Sequence, residues 1–166
     1  MDEEMVRLWN AKVPVGATVY HLGDVSFHKK DRLKELLARL NGNIRLLFGN
    51  HDRKLRTWKG VLERFEWVKD YHESESADGR KVVMCHYPLA SWNKAHYGAW
   101  MLHGHCHGTL AYRNVRRLDV GVDTEYATPT GMTMRYEPYS YQELFDILGL
   151  RGYEPEDRHG REDDRE

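Results

Sequence analysis

Ile44-Arg45-Leu46-Leu47-Phe48-Gly49-Asn50-His51-Asp52 is an apolar run that meets a glycine and then opens into an amide, an imidazole and a carboxylate. Its length and composition predict a strand over Ile44 to Phe48 that ends at a functional loop. Three other stretches repeat the arrangement. Thr18 to Leu22 runs into Gly23-Asp24, Lys81 to Cys85 into His86-Tyr87-Pro88, and Trp100 to His103 into Gly104-His105-Cys106-His107. A strand end fixes the backbone, and a glycine lets the chain turn sharply so that the next side chain points into a shared site. Asp24, Asn50, His86, His105 and His107 are therefore candidate metal ligands. Their mixture of carboxylate, amide and imidazole suits a borderline divalent ion: Mn, Fe, Co, Ni or Zn.

Around these strands the pattern alternates. Met5, Leu8 and Trp9 fall at i, i+3 and i+4 and predict a helix over 2–12. Leu33, Leu36, Leu37 and Leu40 form a second helical stripe, with Asp31 as its cap and Gly42 as its end. A short helix is expected over 56–64, and strands over Phe65 to Tyr71, Leu118 to Val122 and Met132 to Tyr136. Ser140, with Glu143 three residues on, predicts a capping box for a last helix through Leu148. Early helix–strand alternation predicts parallel pairing, and the shorter later connections predict antiparallel pairing. The expected class is a mixed α/β layered fold with its site at strand ends.

The 166 residues predict one domain, residues 1–150, followed by a charged tail, 151–166, read as disordered. A net charge of −1 with histidine neutral gives no basic excess for nucleic acid, which enters only as a substrate. No run is apolar enough to span a membrane, the acidic start Met1-Asp2-Glu3-Glu4 is unlike a signal peptide, and two cysteines make no disulfide framework. A reducing cytoplasm is the expected compartment.

Gly23-Asp24, Gly49-Asn50-His51-Asp52, His86 before Tyr87-Pro88, and Gly104-His105-Cys106-His107 occur in that order, with Leu118-Asp119-Val120-Gly121-Val122-Asp123 behind them. Together they resemble the calcineurin-like metallophosphoesterase superfamily, and most resemble its small bacterial and phage phosphoesterases. The resemblance covers roughly residues 1–148 and implies a four-layer α/β/β/α sandwich. It also implies hydrolysis of phosphodiesters or phosphomonoesters by a metal-activated water, with Mn the foremost metal. Asp24 would bridge two ions. Asn50, His86 and His105 would complete a tight site, and His107 would belong to a second, weaker one. His51 would contact phosphate and protonate the leaving group, with Asp52 orienting it. Asn50, His51 and Arg53 would bind substrate.

The family pattern opens with a strand carrying Asp-x-His, and this sequence starts at about the helix that follows it. Asp157-Arg158-His159 in the tail has the spacing but lacks the apolar strand. A sheet without that first strand has an edge that invites a homodimer. The gap also raises the alternative of a catalytically impaired binding module with the same fold. Trp92, Asn93, His96 and Tyr97 are read either as a cleft wall or, for Trp92, as core. His21 and His103, inside strands, are read as packing residues, and Asp119 and Asp123 either as turn residues or as orienters of ligand imidazoles.

Overall fold

The computed structural model describes residues 1–111, 115–128 and 131–152. The first half alternates helix and strand as its periodicities predict: α1 (Asp2–Lys12), β1 (Thr18–His21), α2 (Lys30–Ala38), β2 (Asn43–Leu47), a short α3 (Lys59–Leu62) and β3 (Phe65–Lys69). The three strands form one parallel sheet in the order β1-β2-β3. Lys29, not Asp31, occupies the N-cap position of α2 and makes no side-chain cap hydrogen bond, and Asp31 lies within the first turn, where a carboxylate favours the helix N-terminus. The helix also ends at Ala38, well before Gly42, whose φ of 90° serves the turn into β2.

The run Phe65 to Tyr71 is not one strand. It breaks at Asp70, and β4 (Tyr71–Glu75) joins a second sheet with β5 (Lys81–Cys85), β6 (Trp100–His103) and β7 (Arg117–Asp119), in the order β4-β5-β6-β7. Only β4 and β5 are antiparallel there. The pairs β5–β6 and β6–β7 are parallel, against the antiparallel expectation. The cause is connection length: residues 86–99 and 104–116 are long enough to carry the chain back, which takes roughly a dozen residues. β8 (Glu125–Thr128) and β9 (Gly131–Met134) form an antiparallel hairpin, and α4 (Tyr141–Leu148) follows.

Alternation along the strands sorts the apolar residues into three clusters. Leu22 and Leu47 meet Val82, Met84, Trp100, Leu102 and Leu118 between the sheets, and Leu144 and Leu148 of α4 join them. Ile44, Leu46 and Phe48 turn the other way, onto Leu33 and Leu37 of α2 and Val61 of α3. Val83 and Met101 cover the far face of the second sheet together with Trp92, Ala95 and Val115. Trp92 is thus core and not a cleft wall, and its indole N–H donates to the Ala99 carbonyl. Among the described residues no helix is long and apolar enough to cross a membrane. Residues 153–166 of the tail, with Asp157-Arg158-His159, lie outside the described residues.

β1 and β2 run parallel in the first sheet and β5 and β6 in the second, and the residues just past their carboxyl ends meet one another. There the loops after β1 and β2 touch. A Cβ on Gly23, which has φ 98°, would come 2.7 Å from Gly49 Cα and 2.7 Å from His86 Nδ1. A Cβ on Gly49 would land on Asp24 Oδ1 and 2.5 Å from the Asp24 nitrogen. Gly49 has an ordinary φ of −94°, so close approach is what it supplies, not a special turn.

The predicted capping box forms: the Ser140 N–H donates to Glu143 Oε2 at 2.8 Å, and the Glu143 N–H donates to Ser140 Oγ. Glu143 also pairs with Arg135, and with Lys12 at the end of α1, 2.9 Å away. Burial opposes the charged form, but Lys12, Arg135 and Ser140 outweigh it and hold the Glu143 carboxyl well below the usual range.

Two predictions follow from this packing. Gly49→Ala should cost about 2–3 kcal/mol in denaturant unfolding, an overpacking penalty. Gly104→Ala should stay within about 1 kcal/mol of the parent, because its Cβ would meet nothing nearer than 3.6 Å. Equal losses would contradict the close approach. A depressed carboxyl stabilises the fold above its unfolded pKa, near 4.5, and loses that contribution as pH falls below it. Glu143→Gln should therefore lower stability by about 1–2 kcal/mol at pH 7, and the gap should narrow as pH falls below 4.5; a constant gap would contradict the charge-based account.

Candidate metal centre

Each candidate ligand sits just past a strand end. Asp24 follows β1, Asn50 opens a 3-10 turn after β2, His86 follows β5 and His105 follows β6. Asp24, His105 and His107 all have positive φ, at 53°, 68° and 47°. Non-glycine residues pay for that conformation, and such strain concentrates at functional sites. His105 makes its own turn, so Gly104 is not the hinge that its motif suggested.

The ligand atoms of Asp24, His86 and His105 lie within 4.8 Å of one another. His86 is 1% exposed. Its Nδ1 lies 2.7 Å from the Leu22 carbonyl oxygen, which can only accept, so Nδ1 carries the proton and donates. Nε2 is then the ring nitrogen left to turn toward the cluster. It faces Asn50 Oδ1 at 2.9 Å and Asp24 Oδ2 at 3.3 Å, both acceptors. Asn50 Oδ1 is also 2.8 Å from His105 Nδ1. Where Nε2 carries no proton, it meets two oxygen acceptors at the buried end of the cluster, and an unmatched buried polar group costs about 1–3 kcal/mol. A cation among them relieves that mismatch, so the donor set fits a divalent ion. Nitrogen and oxygen ligands from Asp24, Asn50, His86 and His105 suit the borderline metals. The Leu22 carbonyl supplies the contact that typically orients a ligand imidazole from behind.

The remaining carboxylate oxygen of Asp24, Oδ1, accepts the His51 backbone N–H at 2.8 Å. His51 is exposed, with its ring edge-on to Phe27 at 5.1 Å. Asp52 does a different job from the orienting contact to His51 expected of it. It is 2% exposed, and its two oxygens accept N–H groups from Gly49 and Asp24, each at 2.8 Å, and from Val25 at 3.0 Å. It clamps the β1 and β2 loops together. Asp119, at the end of β7, repeats the device on the other sheet, accepting from Gly108 and Gly121 at 3.0 and 2.9 Å. A short carboxylate two or three residues from free backbone N–H groups is the one sequence signal for both clamps.

His107 stands outside the cluster. Its Nδ1 meets Asp123 Oδ2 at 2.5 Å, and that hydrogen bond and charge push its imidazole pKa up. Asp123 thus orients an imidazole, as one reading of its motif had it. Arg53 is exposed at the end of the 3-10 turn. His28 pairs with Asp2 at 3.1 Å. His21 accepts the Gly23 N–H on Nδ1, and His103 donates to the Gly104 carbonyl. Burial pushes both imidazoles down, consistent with packing roles. Cys85 packs against the outer cluster of the second sheet, and burial pushes the Cys106 thiol up.

No family model matches the chain. The crystal structure of AQ665, a protein of unknown function from Aquifex aeolicus, superposes with a TM-score of 0.63 at 20% identity, over 89% of this chain and 84% of that one. At that identity the likeness speaks for the fold, a mixed α/β arrangement of two sheets and helices. The uncharacterized protein MJ1445 of Methanocaldococcus jannaschii is 30% identical over 154 residues, 89% of this chain and 75% of that protein. Identity at that level over that span makes this chain a member of the MJ1445 family.

Proposed function

We propose that the chain is a metal-dependent phosphoesterase of the calcineurin-like metallophosphoesterase type, a hydrolase built as a four-layer α/β/β/α sandwich. The observation that carries this reading is the inward set of acceptors around His86 Nε2, with an exposed imidazole beside it whose backbone is tied to the same carboxylate. The sandwich is supported by two facing sheets that each carry an apolar cluster on the outer face.

Asp24, Asn50, His86 and His105 would hold the ion, with Mn foremost among Mn, Fe, Co, Ni and Zn. When bound, such an ion supplies Lewis acidity toward a phosphate oxygen and lowers the pKa of water. Asn50 contributes a neutral oxygen and so leaves more of that charge uncompensated. Leu22 and Asp52 keep the ligands aimed. His51 would hold a proton on an imidazole nitrogen and pass it to the leaving oxygen. Arg53, exposed two residues on, would draw the anionic substrate toward the loop.

His107, outside the cluster and paired with Asp123, favours a site with one tightly held ion. It also gives weight to a second reading, a binding module of the same fold that holds an ion without turnover. Hydrolysis of bis(4-nitrophenyl) phosphate separates the two. After chelator treatment, titration with Mn²⁺ should give saturable turnover that His86→Ala abolishes. His51→Ala should keep the metal and lose roughly 10²–10⁴-fold in rate. A folded sample that binds Mn²⁺ and stays inactive would favour the binding module, and full turnover in His51→Ala would remove its assigned role.

A further inference from the structure

Phe27 is 84% exposed, although it lies only three residues beyond Asp24. Its ring meets the His51 imidazole edge-on, 5.1 Å between centroids. Tyr87 is 45% exposed on the loop after β5, with its ring 4.8 Å from His105 and 5.1 Å from His86. One aromatic ring thus borders the acceptor cluster from the first sheet and another from the second. Neither ring is needed by the cluster, whose contacts run through Leu22, Asn50 and Asp24. Leaving a phenyl side chain in water forgoes about 1.5–3 kcal/mol of burial, and a bare phosphate would recover none of it.

We propose that Phe27 and Tyr87 are specificity-determining residues that select phosphate esters carrying a planar aromatic ring on the leaving group. The inference rests on the phosphoesterase reading above. Its physical basis is position: His51, the residue that would protonate the leaving oxygen, has its ring against Phe27, so a ring carried on the departing group, directly or through a sugar, would come beside Phe27. Aromatic pairs gain beyond their buried area in edge-on and offset arrangements, which exposed rings on two loops can adopt. An isolated ring beside a charged cluster suits a small ester better than a lipid surface, which would need a broad apolar face. The ring could belong to an aryl alcohol, next to phosphorus, or to a nucleobase, one sugar away.

Calorimetric titration of the Mn²⁺-loaded protein with two pairs of probes tests this without turnover. The pairs are phenylphosphonate against methylphosphonate, and the phosphonate analogues of adenosine 5′-monophosphate and ribose 5-phosphate, in which a methylene replaces the 5′-oxygen. At least one ring-bearing probe should bind roughly two- to tenfold more tightly than its partner. Phe27→Ala should shrink that ratio and Phe27→Trp restore it, while the ring-free probes bind as before. The first pair reports an aryl group and the second a nucleobase. Ratios of one in both pairs, or a ratio that survives Phe27→Ala together with Tyr87→Ala, would overturn the aromatic selectivity alone. Failure of all four probes to bind would overturn the phosphoesterase reading, and this inference with it.

Discussion

The carboxylate of Asp52, buried between two loops, is the constraint on which the candidate site depends. It holds backbone N–H groups of Gly49, Asp24 and Val25 at once. Charge-assisted bonds of this kind are worth about 1.5–3 kcal/mol each. They force the loops after β1 and β2 so close that neither Gly23 nor Gly49 has room for a Cβ. That closeness puts Asp24 in a left-handed conformation, lets its Oδ1 take the His51 N–H, and leaves Oδ2 facing His86. The second sheet answers with Asp119, which ties Gly108 and Gly121 beside the His105 loop. Each half of the site is therefore set by a carboxylate that accepts backbone N–H groups from two loop positions.

Much of this was legible in the sequence because strand periodicity and glycine punctuation are local. α1, β1, β6 and the capping box of α4 follow from spacing of a few residues, and so do the strand-end positions of Asp24, Asn50, His86 and His105; their grouping around one point was implied by the family resemblance and not by spacing. What spacing cannot carry is partner choice at a distance. The break at Asp70 depends on which sheet Tyr71 joins, and nothing in Phe65 to Tyr71 marks the change. Parallel pairing of β5, β6 and β7 depends on where long connections travel. Asp52 was misread because it lies beside His51 in the chain, while its partners lie largely in another loop.

The convergence also has a sharp physical alternative. With the Asn50 oxygen turned inward, His86 Nε2, Asn50 Oδ1 and Asp24 Oδ2 are acceptors without a proton among them. With the amide reversed, its NH₂ would donate to both imidazoles and ease the mismatch without an ion. The two arrangements share every backbone position and differ in one observable, the affinity for a divalent cation.

That affinity is the measurement to make. Chelator-stripped protein titrated with Co²⁺ and followed by visible absorption should bind one equivalent tightly, with ligand-field bands of a mixed nitrogen and oxygen site, and His86→Ala and Asp24→Ala should each abolish the bands. No saturable binding in a folded sample, or bands that persist unchanged in both variants, would contradict the account.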